Sequence, residues 1–274
     1  MTAITSLTPL TIAGSDPTGG AGLEADLKVF LAHGLSGAAL STALTIQDTH
    51  GVRATGALSP SAFRRRLDVL LDDVEIAGAK TGLLPSAAMI RALCSALEAA
   101  PGCRPLVVDP VLAPTRGAPF LDRHGRRLLL DRLLPLARVV TPNLAELALL
   151  LGQSPAQVKR APERATELLL ATGVQAVLLT GGHARGPQAR DLLNDAGRIT
   201  EFTLPRISGT AARAHGTGCA LSAALLSRLL LSDSLEQAVR SAKRYVHGAI
   251  RGAVAIGRGR PQLRFAAAQK SGGR

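Results

Sequence analysis

At 274 residues the chain is long for one domain yet within the range of single α/β domains, and a chain this long buries most of its unfolded surface. Hydrophobic residues make up 46% of it and aromatics 2%, so Leu, Val, Ile and Ala fill the core, and base stacking on single-stranded nucleic acid is argued against. The formal net charge of +12 comes from cations spread along the chain rather than gathered in one stripe, which reads as a solvated, Arg-rich surface without a nucleic-acid partner.

Apolar runs alternate with amphipathic stretches from end to end, the pattern of a mostly parallel sheet covered by helices on both faces. In chain order the pattern predicts a strand over 9–13, a helix over 20–33, a strand over 37–46, and helices over 61–72 and 86–99. It then predicts strands over 105–109 and 138–140, helices over 143–152 and 162–172, and a strand over 176–180. A hairpin over 191–204 turns at Asp195-Ala196-Gly197, and helices over 217–231 and 235–256 close the pattern. No linker or repeat divides residues 1–257, which are expected to form one domain, while 258–274 reads as a loose tail. Cys94, Cys103 and Cys219 form no CxxC pair, which implies a reducing compartment. With no secretory signal and no membrane span, the expected location is the cytoplasm.

Four segments carry the chemistry. Gly14-Ser15-Asp16-Pro17-Thr18-Gly19-Gly20-Ala21-Gly22 follows a strand and opens a helix holding Asp26, and its glycines let backbone pass close to a ligand. It is neither a P-loop nor a good dinucleotide fingerprint. Val107-Val108-Asp109-Pro110-Val111 ends a buried strand in an acid, at the edge where open α/β sheets bind ligands. In Thr141-Pro142-Asn143-Leu144-Ala145-Glu146, Asn143 and Glu146 lie one turn apart, as partners in a helix cap or as holders of hydrated Mg²⁺. His215-Gly216-Thr217-Gly218-Cys219-Ala220-Leu221-Ser222 leads into an apolar helix whose first N–H groups suit a phosphate, and whose field favours a Cys219 thiolate able to act as base.

Together with TALTIQDTHGV, KTGLL and LLTGGH, these segments stand in one order over residues 9 to 257, and the chain resembles the hydroxymethylpyrimidine/phosphomethylpyrimidine kinases of thiamin synthesis, in the ribokinase-like superfamily. The resemblance implies a three-layer ribokinase-like fold, ATP and Mg²⁺ as cofactors, a small pyrimidine as substrate and a homodimer. By the same resemblance Cys219 is the base, with Gly216, Thr217 and Gly218 as the anion hole. Gly14, Asp26, Gln47, Leu83 and Val111 match pyrimidine-binding positions. Asp109, Asn143, Glu146, Thr180 and Gly182 match the ATP side, with Asp109 and Glu146 holding Mg²⁺ through water. Thr180 stands where relatives often carry Lys, Pro114-Thr115-Arg116-Gly117 replaces an AKSG-like loop, and AIGRGRPQLRF departs from a GIGP-type ending. The resemblance leaves two alternatives: a Cys-type pyridoxal kinase, and a pyrimidine-binding regulatory relative without turnover.

Overall fold

The computed structural model describes residues 7–100, 102–113, 119–181 and 186–268. The loop at 114–117, Gly182 and His183 lie outside them. Strand β1 (Thr8–Ser15) runs through the centre of the molecule, and helix α1 (Gly22–Ala32) returns from it to β2 (Ala38–Asp48). A tight turn then joins β2 to β3 (Gly51–Ala57), which pairs with it antiparallel. Helix α2 (Pro60–Asp73) starts where the Ser59 side chain accepts from the Ala62 N–H with Pro in the first turn, and leads to β4 (Ile76–Thr81). Ser86 caps α3 (Ala87–Ala99) in the same way. Next come β5 (Leu106–Val108), the short α4 (Arg123–Leu128), β6 (Val139–Val140), α5 (Leu144–Leu151), α6 (Pro155–Arg160), α7 (Pro162–Leu170) and β7 (Ala176–Leu179). The hairpin β8 (Gln188–Asp195) and β9 (Arg198–Pro205) turns at Ala196 and Gly197, both at positive φ, where the sequence placed it. Helices α8 (Thr217–Leu230) and α9 (Leu235–Arg251) finish the regular structure.

Among the described residues these strands form one nine-stranded sheet, in the order β3-β2-β1-β4-β5-β6-β7-β8-β9. The six from β2 to β7 are parallel, so their carboxyl ends meet one edge. Buried residues of α1, α8 and α9 form one core against the sheet, and those of α2 to α7 form the other. That gives three layers, as the alternating pattern required. The chain moves to opposite sides of β1 to make β2 and β4, so the order reverses between β1 and β4. A crevice opens at the carboxyl ends of such a pair.

Two expectations are corrected. The last helix stops at Arg251 rather than near 256, because the chain turns at Gly252 and doubles back so that Val254 and Gln262 exchange backbone hydrogen bonds. Nor is the segment after 258 loose as far as residue 268. The Arg260 N–H donates to the Thr49 carbonyl, the His215 N–H donates to the Pro261 carbonyl, Leu263 is buried, and the Ala268 N–H reaches the Ala32 carbonyl. Gly and Arg made this stretch look solvated, yet its backbone is paired much as an edge strand's would be.

Candidate active site

The crevice begins at Gly14, the last turn of β1. A Cβ there would press within 3.1 Å of Leu83 Cδ2, so the strand end and Leu83 form one apolar wall. The Thr42 hydroxyl fixes that wall from β2 by donating to the Leu83 carbonyl at 2.6 Å. Val111 follows β5 on the same edge, and its N–H bonds back to the Asp109 carbonyl. Gln47 stands near the end of β2, with its side chain on the Asp16 side of the crevice, where it helps to favour the Asp16 charge.

Asp16 organises the first Gly-rich turn. Its oxygens accept from the N–H and hydroxyl of Thr18 at 2.8 Å and from the Ala21 N–H at 2.9 Å, and His215 Nε2 lies 3.4 Å away. Burial opposes its charge, but the bonds from His215, Thr18 and Gln47 outweigh burial and hold the carboxyl well below the usual range. The turn packs against the start of α8. Gly216 sits at φ +84°, and a Cβ there would collide with the Gly20 carbonyl, so only Gly serves. Among the described residues no side chain caps α8, which leaves the first N–H groups, from Thr217 to Cys219, as donors at its start.

Beside that helix start lies a buried charge cluster. Lys80 is 0% exposed, with Nζ 2.7 Å from Asp26 Oδ2 and 3.9 Å from Asp109 Oδ2. Burial pushes Lys80 towards neutrality, but the charges of Asp26 and Asp109 outweigh it and hold the ammonium. Ser222 donates to Asp109 Oδ2 at 3.2 Å from the second turn of α8. Burial drives Glu146 up to about 8, with the charge of Asp109 adding to it. Asp109, 5% exposed, and Glu146, whose ionisation the Asp109 charge opposes, are oxygen donors of the kind a hard divalent cation takes.

The structure places several of the expected residues at one edge of the sheet and shows what holds them. Asp26 is 0% exposed: its Oδ2 accepts from the Thr11 hydroxyl at 2.6 Å and from Lys80, while its Oδ1 has no hydrogen-bond partner among the described residues. Asn143 is a helix cap, one of the two readings its spacing left open. Its Oδ1 accepts from the N–H groups of Ala145 and Glu146 while Glu146 Oε2 accepts from the Asn143 N–H, which leaves Glu146 with one oxygen for a cation. Cys219 is not set up as a thiolate: burial pushes its thiol up to about 12, Asp109 and Asp26 add to the rise, and Lys80 only partly opposes it. Thr180 bonds through its N–H to the Pro142 carbonyl, beside Asn143. Its neighbour Gly181 donates to Asp191, which Lys243 holds at 2.6 Å. Lys80, Asp16 and His215 were not singled out as site residues from the sequence, although all three lie inside the quoted segments. A lysine two residues before a glycine within an apolar strand was the available signal for the first.

Unpaired N–H donors beside acidic oxygens are equipment for moving a phosphoryl group, and with this strand order they make the chain a small-molecule kinase of the ribokinase-like type. Residues 16–264 match the model of the phosphomethylpyrimidine kinase family. A hydroxymethylpyrimidine/phosphomethylpyrimidine kinase of Rhizobium meliloti (strain 1021) is 41% identical over 92% of this chain and 94% of its own. The structure is similar to the phosphomethylpyrimidine kinase of Clostridium difficile 630, with a TM-score of 0.76 at 33% identity over 89% of this chain and 99% of that one. It is also similar to the Bacillus subtilis pyridoxal kinase in its ADP complex, with a TM-score of 0.85 at 27% identity over 96% and 98%. The chain belongs to the phosphomethylpyrimidine kinase family.

Proposed function

We propose that the protein uses ATP to phosphorylate 4-amino-5-hydroxymethyl-2-methylpyrimidine, its monophosphate, or both. The observation that carries this reading is the uncapped start of α8 facing Asp109 at the crevice between β1 and β4. Thr217, Gly218 and Cys219 donate N–H bonds to the migrating phosphoryl group, whose charge grows more accessible as the γ-phosphorus leaves ATP. Asp109 and the oxygen of Glu146 that the cap leaves free would hold Mg²⁺, which would supply neutralisation of phosphate charge.

The ring lies against Leu83 and Val111. The Gln47 amide, on the Asp16 side of the crevice, is placed to accept from the exocyclic amino group, which favours an aminopyrimidine over an alcohol without one. Asp26 acts at one remove, by holding Lys80 charged beside Asp109. When the substrate is the alcohol, its oxygen bonds to the γ-phosphorus, the bond to the β-bridging oxygen breaks towards ADP, and Cys219 Sγ takes the proton. The thiolate this needs forms by loss of the thiol proton to solvent, which positive charge beside the two aspartates would favour. Pyridoxal phosphorylation is the second reading, favoured by the likeness to the pyridoxal kinase fold. Three free cysteines suit a reducing compartment such as the cytoplasm.

ADP release measured with the alcohol, its monophosphate and pyridoxal tests the reading. The expected order has a pyrimidine first. Turnover of pyridoxal alone would transfer the assignment to the second reading, and tight pyrimidine binding without any ADP release would make the protein a binding relative.

A further inference from the structure

The turn over 16–22 is a spacer between the two halves of the crevice. On one side a Cβ at Gly22, which sits at φ +60°, would collide with the Gly14 carbonyl, so the turn lies directly on the end of β1 that faces Leu83. On the other side the Gly20 carbonyl touches Gly216, and a Cβ at Gly20 would come within 3.4 Å of His215 Cδ2. The apolar wall at Gly14 and the N–H groups at the start of α8 therefore take their separation from this turn.

Asp16 fastens it at both ends. The residue is 3% exposed, and its own N–H donates to Glu24 Oε2 at 2.8 Å, which fixes its backbone to α1. One oxygen, Oδ1, serves the turn itself through the Thr18 N–H and hydroxyl. The other reaches further: Oδ2 accepts from the Ala21 N–H at the head of α1 and faces His215 Nε2, just before α8. Of the contacts that keep the carboxyl ionised against burial, His215 contributes most. His215 is backed in turn by the returning segment, the stretch after α9, because its N–H donates to the Pro261 carbonyl at 3.0 Å. A turn closed only on itself would use the Thr18 pair, whereas here the second oxygen is directed at the start of α8.

We propose that Asp16 is a positioning residue for the phosphoryl transfer: its carboxylate clasps the pyrimidine side of the crevice to the start of α8, so that the attacking oxygen and the migrating phosphoryl group stay in line. The role rests on the phosphorylation reading above, and a misplacement of about 1 Å there costs roughly 100-fold in rate. In Asp16→Asn the side chain keeps one acceptor oxygen and gains an NH₂, so it can serve Thr18, or Ala21 and His215, but not both. The variant is expected to bind the pyrimidine and AMP-PCP with unchanged Kd by calorimetry while kcat falls about 100-fold, a split that a general loss of folded protein does not produce. Amide exchange reports the clasp without turnover. The His215 and Ala220 amides, bonded to the Pro261 and Gly216 carbonyls, are expected to exchange at least about tenfold faster, the scale of one hydrogen bond to a charged group, while the Thr141 amide on the Val108 carbonyl keeps its rate. Should Asp16→Asn misfold, His215→Asn keeps the Thr18 and Ala21 bonds, removes the α8 end of the clasp alone, and is expected to speed Ala220 exchange in the same way. Unchanged exchange at Ala220 in the folded variant, or a weaker pyrimidine Kd with kcat intact, overturns the clasp. If the wild type releases no ADP with either pyrimidine, the phosphorylation reading falls and the exchange rates alone decide whether the clasp exists.

Discussion

Cys219 stands in the first turn of α8 with a thiol that burial and two aspartates keep protonated, so the two candidate substrates make different demands on it. A hydroxymethyl group must lose a proton to become a nucleophile. A phosphomonoester, with a second pKa of about 6, already attacks as an anion at neutral pH. Cys219→Ala is therefore expected to reduce kcat on the alcohol by about 100-fold or more and to affect the monophosphate far less, since general-base catalysis is worth roughly 10²–10⁴-fold. Equal losses on both substrates would show that the sulfur positions rather than deprotonates. Glu146 supplies a pH prediction. A carboxyl raised to about 8 in the folded chain, from an ordinary 4.5, binds its proton more tightly folded than unfolded. Stability is then greatest below 4.5, falls as pH climbs towards 8 and levels above it. Mg²⁺, which binds the ionised form, is expected to flatten that fall in a melting series, and Glu146→Gln to abolish both the fall and the metal effect. The acids themselves were legible in the sequence because they follow apolar strands. Their protonation states were not, because these depend on Lys80, which comes from another strand, and on burial set by the whole fold.

At the scale of elements, the strands and helices with strong periodicity were readable to within a few residues, α8 and the β8–β9 hairpin among them. What escaped was β3, whose sequence GVRATGA is mostly exposed and carries no apolar face, and β4, whose IAGAKT hides a lysine inside a buried strand. The returning segment escaped for a related reason: it is held by backbone bonds to Thr49 and His215, and composition does not record those. Its Gln262 side chain also donates to the Thr18 carbonyl at 2.9 Å, so one segment ties the turn after Gln47, the first Gly-rich turn and the start of α8. Gly259→Ala tests that tie. The added methyl must displace the Thr49 carbonyl, and a small displacement of substrate-positioning groups costs rate steeply. The expected result is a rise in KM for the pyrimidine and a loss of about tenfold in kcat/KM, with unchanged helix and strand content by circular dichroism. An unaltered KM would mean that the segment covers the turns without positioning them.

For the whole molecule, the open question is what covers β2. Leu44 and Ile46 alternate along that strand, so they share one face, and they are 57% and 66% exposed. Apolar residues at that spacing on a sheet normally meet a core, yet here β2 and β3 project to the edge of the sheet with that face bare. We propose that a second copy of the chain covers it, which agrees with the homodimer implied by the family resemblance. Each copy would then bring Gln47, on the following turn of the same strand, close to its partner's ribbon, and formation of the pair would steady the substrate end of β2. Light scattering is expected to report twice the 28.3 kDa chain mass for the wild type and a single chain for Leu44→Glu/Ile46→Glu, because two carboxylates cannot be buried unpaired in such a contact. If the ribbon's order depends on the partner, the monomeric variant also loses pyrimidine affinity while its affinity for nucleotide stays the same. A variant that remains at the wild-type mass would place the dimer contact elsewhere and leave the bare face of β2 to some other partner.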